Sequence, residues 1–314
     1  RPLHAFVCGH SGSGKSTELR RLVALPEIQD RYLPIVLKAR EFGDVVHLTS
    51  EALLVEIGDG LVRAAKAMGQ GQRRKETDKA LGLSKGLEEQ LAAWGTEVVR
   101  EFLKSRSAEA EAGAGASAWI ASFRALLSTR REWSYQEKQI IEPKVRDLVA
   151  ILDRIAQDLA NRSSRKLLVV VDDLEKGDSD AHREMHERVF QDGLPVLTQP
   201  NFSILYTLPI YFRALPGSRI PHEQIFAFSA ARLYAVEKKG DDHPPIDESS
   251  PGTKLMRSFV EKRVAEVATL FAPAALAELI LIGGGLFRET ARAIRDAAFF
   301  ALLRGTRKRI EVED

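Results

Sequence analysis

Residues 9 to 16 read GHSGSGKS, and residues 167 to 175 read LLVVVDDLE. The first stretch satisfies G-x-x-x-x-G-K-[ST], a spacing suited to holding phosphate. Glycines at 9, 12 and 14 allow close backbone approach that a side chain would block. The loop amides, running through His10, Ser11 and Ser13, would face phosphate oxygens, helped by the positive end of the helix that follows. Lys15 would reach the outer phosphates, and Ser16, followed by Thr17, would offer its hydroxyl to magnesium. A glycine-rich turn with a chance lysine is the plain alternative. The apolar strand before the loop and the helical pattern after it favour the phosphate reading.

The second stretch is an apolar strand that ends in two carboxylates. Asp172 stands where a strand-end aspartate would hold magnesium through water, and Asp173 where a carboxylate would orient or activate a water. Asp173 is shorter than the glutamate more often found in that role, so Glu175 is a reserve candidate. Each aspartate also reads as an ordinary turn residue.

Positioning such residues calls for a parallel α/β framework. LHAFVCG, YLPIVLKA, KLLVVVDDLEK, FSILYTLPI and QIFAFSAARL read as strands, and KSTELRRLVAL as a helix ended before Pro26. Residues 49–163 show helical spacing, with a low-complexity connection at 108–118. The segment from 140 to 162 has an amphipathic pattern that leads into the third strand. A further helical run is expected at about 180–197. A Pro-, Gly- and Asp-rich linker at 240–252 precedes helices expected at about 253–270, 274–282 and 286–304. The expected division is an α/β core over 1–48 and 164–240, a helical insertion over 49–163 and a small helical domain over 253–314.

Together, the Gly9–Ser16 loop, VVVDD, the polar residue closing FSILYT and the helical tail carrying GGGLFRETARAIRDA resemble an AAA+ ATPase. The STAND or NLR-like ATPases are close relatives on the same motifs, and the doubled aspartate leans toward them. The resemblance implies a P-loop NTPase core with a helical lid, taking ATP and Mg2+. It implies that Thr207 is a sensor at the end of a strand and that Arg288 is a second sensor on the lid, reading phosphate charge. Thr207 also reads as a plain strand residue, and Arg288 as a solvated helix charge with Arg292 and Arg295 nearby. Arg219, with Arg213 as the weaker candidate, lies where the family's trans-acting arginine would be; either also reads as a loop arginine. A homo-oligomer and an effector outside this sequence are the implied partners.

Other classes fit less well. No N-K-x-D guanine reader is present, which favours ATP over GTP. LSKGLEEQ at 83–90 is a poor ABC signature in the wrong place, and a Rossmann loop would need G-x-G-x-x-G without the Gly-Lys-Ser ending found here. His182, His186, His222 and His243 have no zinc spacing. Lys plus Arg number 46 against 44 acidic residues, so a nucleic-acid face would have to be local. Arg63, Lys66, Arg73, Arg74, Lys75 and Lys79 are the candidate patch, and a solvated helix surface is its plain reading. One cysteine, no signal peptide and no membrane-length apolar run suggest a cytoplasmic protein. Beginning at Arg1, the sequence suggests a piece of a longer chain.

Overall fold

The computed structural model describes residues 2–42, 45–71, 77–105, 135–177, 179–234, 247–304 and 309–311, with side chains outside 69–85 and 102–143. The strands are β1 (His4–Gly9), β2 (Tyr32–Lys38), β3 (Lys166–Asp172), β4 (Ser203–Leu208) and β5 (Ile225–Phe228). They form one all-parallel sheet in the order β2-β3-β4-β1-β5. The class is therefore α/β. Strands buried on both faces read as continuous apolar runs, as VCG, LLVVV and ILYTL do here.

Between β1 and β2 lie α1 (Lys15–Ala24) and α2 (Pro26–Arg31). Pro26 ends one helix and begins the next, a position where its missing N–H costs nothing. Between β2 and β3 lie α3 (Ser50–Gly71), α4 (Thr77–Ser105) and α5 (Tyr135–Ser163). Leu53, Leu61, Leu91, Leu148 and Leu152 are buried among them. Trp94 Nε1 donates to the Lys144 carbonyl at 2.7 Å, joining α4 to α5. The expected connection at 108–118 lies outside the described residues, as does most of the linker at 240–252.

After β3 come α6 (Asp180–Glu187), a π-helical turn over Arg188–Asp192, and α7 (Leu194–Leu197). The helical run expected over 180–197 is thus broken. Gly193 closes the wide turn, and Arg188 donates to the Val46 and Leu48 carbonyls at 2.9 and 3.3 Å. The C-terminal helices are α8 (Pro251–Glu261), α9 (Val267–Leu270), α10 (Pro273–Ile282) and α11 (Phe287–Arg304). The helix expected over 253–270 is also two pieces. The first piece stops at Glu261, and Glu266, at φ 56 in a left-handed conformation, precedes α9.

The chain divides into two compact units, Arg1–Val7 with Leu19–Phe226 and Cys8–Glu18 with Ala227–Asp314. The glycine-rich loop therefore groups with the C-terminal helices. The first unit is built on β2, β3 and β4, with an aromatic cluster in which Phe6 stacks on Tyr206 (centroids 5.5 Å) and meets Phe190 edge-on. Such pairs add about 0.5–1.5 kcal/mol each beyond their buried area. Tyr206 Oη, fully buried, donates to the Leu197 carbonyl at 3.0 Å, and burial raises its pKa. The second unit packs α8, α10 and α11 around Met256, Val260, Phe271, Ile280 and Ala297. Among the described residues, no helix is long and apolar enough to cross a membrane.

Candidate functional site

In the second unit, the chain leaves β1 at buried Gly9, turns through residues 10–14 and enters α1 at Lys15. Two glycines shape the turn. Gly12 has φ +85 and Gly14 φ +97, conformations that cost an L-residue about 1–2 kcal/mol. A Cβ on Gly12 would also stand 2.7 Å from Arg288 Cβ. The loop amides then begin the helix: Thr17 N and Glu18 N both donate to the Gly14 carbonyl, at 3.0 and 2.9 Å.

Lys15 is 4% exposed. Its Nζ donates to the Gly9 carbonyl at 2.8 Å and to the His10 carbonyl at 3.1 Å, so the cation spans the loop. Ser13 is buried as well, and its Oγ has no hydrogen-bond partner among the described residues. A buried hydroxyl without a partner costs about 1–3 kcal/mol, which a ligand oxygen would offset. His10, Ser11 and Thr17 are exposed, and Ser16 is half-buried.

Arg288 is the second residue of α11. Its NH1 donates to Ser11 Oγ at 2.7 Å, and its backbone N–H approaches the Gly12 carbonyl at 3.4 Å. Arg292 pairs instead with Glu289 at 3.0 Å, and Arg295 with Asp296 at 2.8 Å. Of these three arginines, only Arg288 has a hydrogen bond to the loop.

In the first unit, β3 ends at buried Asp172, which the parallel register sets opposite Lys38 at the end of β2. Asp173 follows in a left-handed conformation, φ 72. Aspartate tolerates that conformation better than longer side chains because its carboxylate bonds locally. This gives a physical reason for aspartate, rather than glutamate, at this position. Asp173 N donates to Asp172 Oδ1 at 2.9 Å. The Asp173 carboxylate is buried between two cations, Lys176 at 2.5 Å and Arg40 at 3.6 Å.

Thr207 is fully buried near the end of β4. Its Oγ1 accepts from Leu174 N at 3.0 Å, tying that strand to the turn after β3. The Leu174 carbonyl accepts from His186 Nε2 at 2.8 Å. Burial lowers the His186 pKa, with His182 lowering it further; the bond to Leu174 and the charge of Glu175 oppose the shift. Glu175, the reserve carboxylate, therefore acts on His186. Arg213 and Arg219 are exposed, and Arg219 is tied to Gln191 through its backbone N–H at 2.9 Å and its NH1 at 3.4 Å.

Lys176, Arg40 and His186 were not singled out from the sequence as parts of a site. Lys176 had a local signal, three residues beyond Asp173. Arg40 becomes adjacent only through the β2–β3 register. His186 carried the zinc question alone, and nothing in its spacing announces a bond to residue 174. In the expected basic patch, Arg63 pairs with Asp59 at 3.1 Å and Lys66 with Glu88 at 2.6 Å. Arg73, Arg74, Lys75 and the Lys79 side chain lie outside the described residues. No protein-family model matches the chain, and no curated protein matches it.

Proposed function

We propose that the chain binds ATP with magnesium and hydrolyses it, as an AAA+-like module that converts nucleotide state into a rearrangement. One observation carries this reading. The Gly9–Thr17 loop combines two left-handed glycines, a buried Ser13 hydroxyl without a partner and a buried cation spanning the turn, all at the start of a ten-residue helix. That combination suits a phosphate chain better than a structural turn.

In this reading Lys15 exchanges its carbonyl partners for phosphate oxygens, a charge-assisted and stronger bond. Ser16 in the loop unit, and Asp172 at the end of β3 in the other, are each hard oxygen donors of the kind magnesium takes. Bound magnesium would offset charge on the transferred phosphoryl group. Asp173 orients the attacking water, Thr207 fixes the turn that carries it, and Arg288 reports phosphate charge to α11. Arg219 remains a candidate for completing the site of another copy.

The test is calorimetry with Mg-ATP on the parent and on Lys15→Ala. The expected result is binding by the parent and loss of at least about tenfold in the variant, the worth of a charged hydrogen bond. Equal affinity would overturn the assignment.

A second reading, a slow STAND-like nucleotide switch, is favoured by the Asp173 carboxylate standing between Lys176 and Arg40. Water must displace a cation before that carboxylate serves it. Tightly retained nucleotide with negligible turnover would select the switch, and partner-stimulated turnover the motor.

A further inference from the structure

The peptide of Leu174 is held on both sides by side chains from different elements. Its N–H donates to Thr207 Oγ1 on β4 at 3.0 Å, and its carbonyl accepts from His186 Nε2 on α6 at 2.8 Å. This peptide directly follows Asp173, whose left-handed backbone aspartate tolerates better than most residues but which still gains from being held by its surroundings. Removal of either hold would return Asp173 toward the broad allowed regions, displacing its carboxylate. We infer that His186 is a positioning residue, which sets the Asp173 carboxylate by holding the Leu174 carbonyl and makes α6 an element that the reaction centre senses.

The chemistry is specific to a donor. A carbonyl oxygen only accepts, so His186 Nε2 carries the proton and the ring serves as a donor. His186 is 1% exposed, with the Tyr211 ring 6.3 Å away and the Arg183 guanidinium over that ring, 5.7 Å from its centroid. Glu175 and His182 are the titratable groups that act on it. A histidine that only filled the core would be replaceable by any side chain of similar volume. A positioning histidine is replaceable only by a side chain that puts an N–H at the same place. Glutamine does so, since its amide nitrogen reaches about as far as Nε2; leucine offers no donor, and asparagine is too short.

The inference rests on the ATPase reading for its catalytic consequence, but not for its structural one. The experiment therefore compares the parent, His186→Leu and His186→Gln by two readouts: steady-state ATP hydrolysis with magnesium, and amide exchange at Leu174. His186→Leu is expected to lower kcat by about tenfold or more while leaving KM for ATP within about twofold, the mark of a misplaced group rather than lost binding. Exchange at Leu174 should rise in the same variant, and His186→Gln should restore both. Where His186→Leu does not fold, judged by a thermal melt, His186→Asn takes its place. Unchanged Leu174 protection in the donor-less variant, or kcat falling equally in the leucine and glutamine variants, would overturn the inference. A parent that binds no ATP would overturn the ATPase reading instead, and the exchange arm would still decide whether His186 holds the turn.

Discussion

Arg288 donates to Ser11 Oγ at 2.7 Å, so the first turn of α11 is bonded to the loop that follows β1. The guanidinium is exposed, so its removal changes little of the packing. Arg288→Ala is therefore predicted to shift stability by no more than about 0.5 kcal/mol. ATP affinity should still fall about three- to tenfold, within the range for one charged contact at a partly solvated site. Thermal melts and calorimetry on the same preparation check both halves. A large stability loss with unchanged affinity would make Arg288 a structural residue.

Gly12→Ala is predicted to destabilise the fold more than Gly217→Ala. Both residues have positive φ, +85 and +74, so both substitutions carry the left-handed penalty of about 1–2 kcal/mol. At Gly217 a Cβ meets nothing within 4 Å, whereas at Gly12 it would crowd Arg288. Denaturant melts of the two variants isolate the crowding as their difference. ATP affinity should fall in Gly12→Ala alone.

Asp173→Asn and Asp173→Val separate backbone from chemistry. Asparagine accepts the left-handed conformation, while a β-branched residue there costs about 1–3 kcal/mol. The prediction is near-parent stability for Asp173→Asn with ATP binding kept and turnover reduced at least about a hundredfold, the scale of a lost general base. Asp173→Val should lose stability as well. Single-turnover assays beside melts give the comparison.

Lys176→Met is predicted to raise basal turnover several-fold, roughly the factor expected from releasing one surface-facing ion pair. Lys176 is exposed and pairs with the Asp173 carboxylate at 2.5 Å, so its loss leaves only the longer Arg40 contact, at 3.6 Å, to compete with water. Unchanged turnover would mean that the pair opens without cost when nucleotide binds.

His186 makes stability depend on pH in a defined direction. Its folded pKa lies below the ordinary 6.5, so the unfolded chain binds the proton more readily. Its contribution is complete above pH 6.5 and is lost as pH falls from there through the folded pKa. His4, also lowered by burial, acts in the same sense. The melting temperature of the parent should thus fall more steeply below that pH than that of His186→Gln, and the difference between the two curves belongs to residue 186.

The elements whose signal is local were legible. β1, the glycine loop and α1 follow from an apolar run, three glycines and a helix-forming segment bounded by Pro26. β3 follows from five apolar residues ended by carboxylates. Breaks inside helices were less so: the apolar spacing of 253–270 runs on, although the helix stops at Glu261 and resumes only after the left-handed Glu266. What spacing cannot carry is contact across distance. The Asp173–Arg40 pair depends on strand register, and the His186–Leu174 bond on where α6 lies against the turn after β3. Arg288 was chosen over Arg292 and Arg295 from its place after the glycine run, and its bond to Ser11 Oγ is contact that spacing alone does not carry.

Cys8 is the single cysteine of this sequence, it is fully buried, and it immediately precedes Gly9. Within these residues there is thus one thiol, sited at the end of β1 just before the loop. Labelling of the native protein counts how often that strand end opens, molecule by molecule. Cys8 is thus a built-in reporter of opening at the end of β1, readable by mass without an added residue.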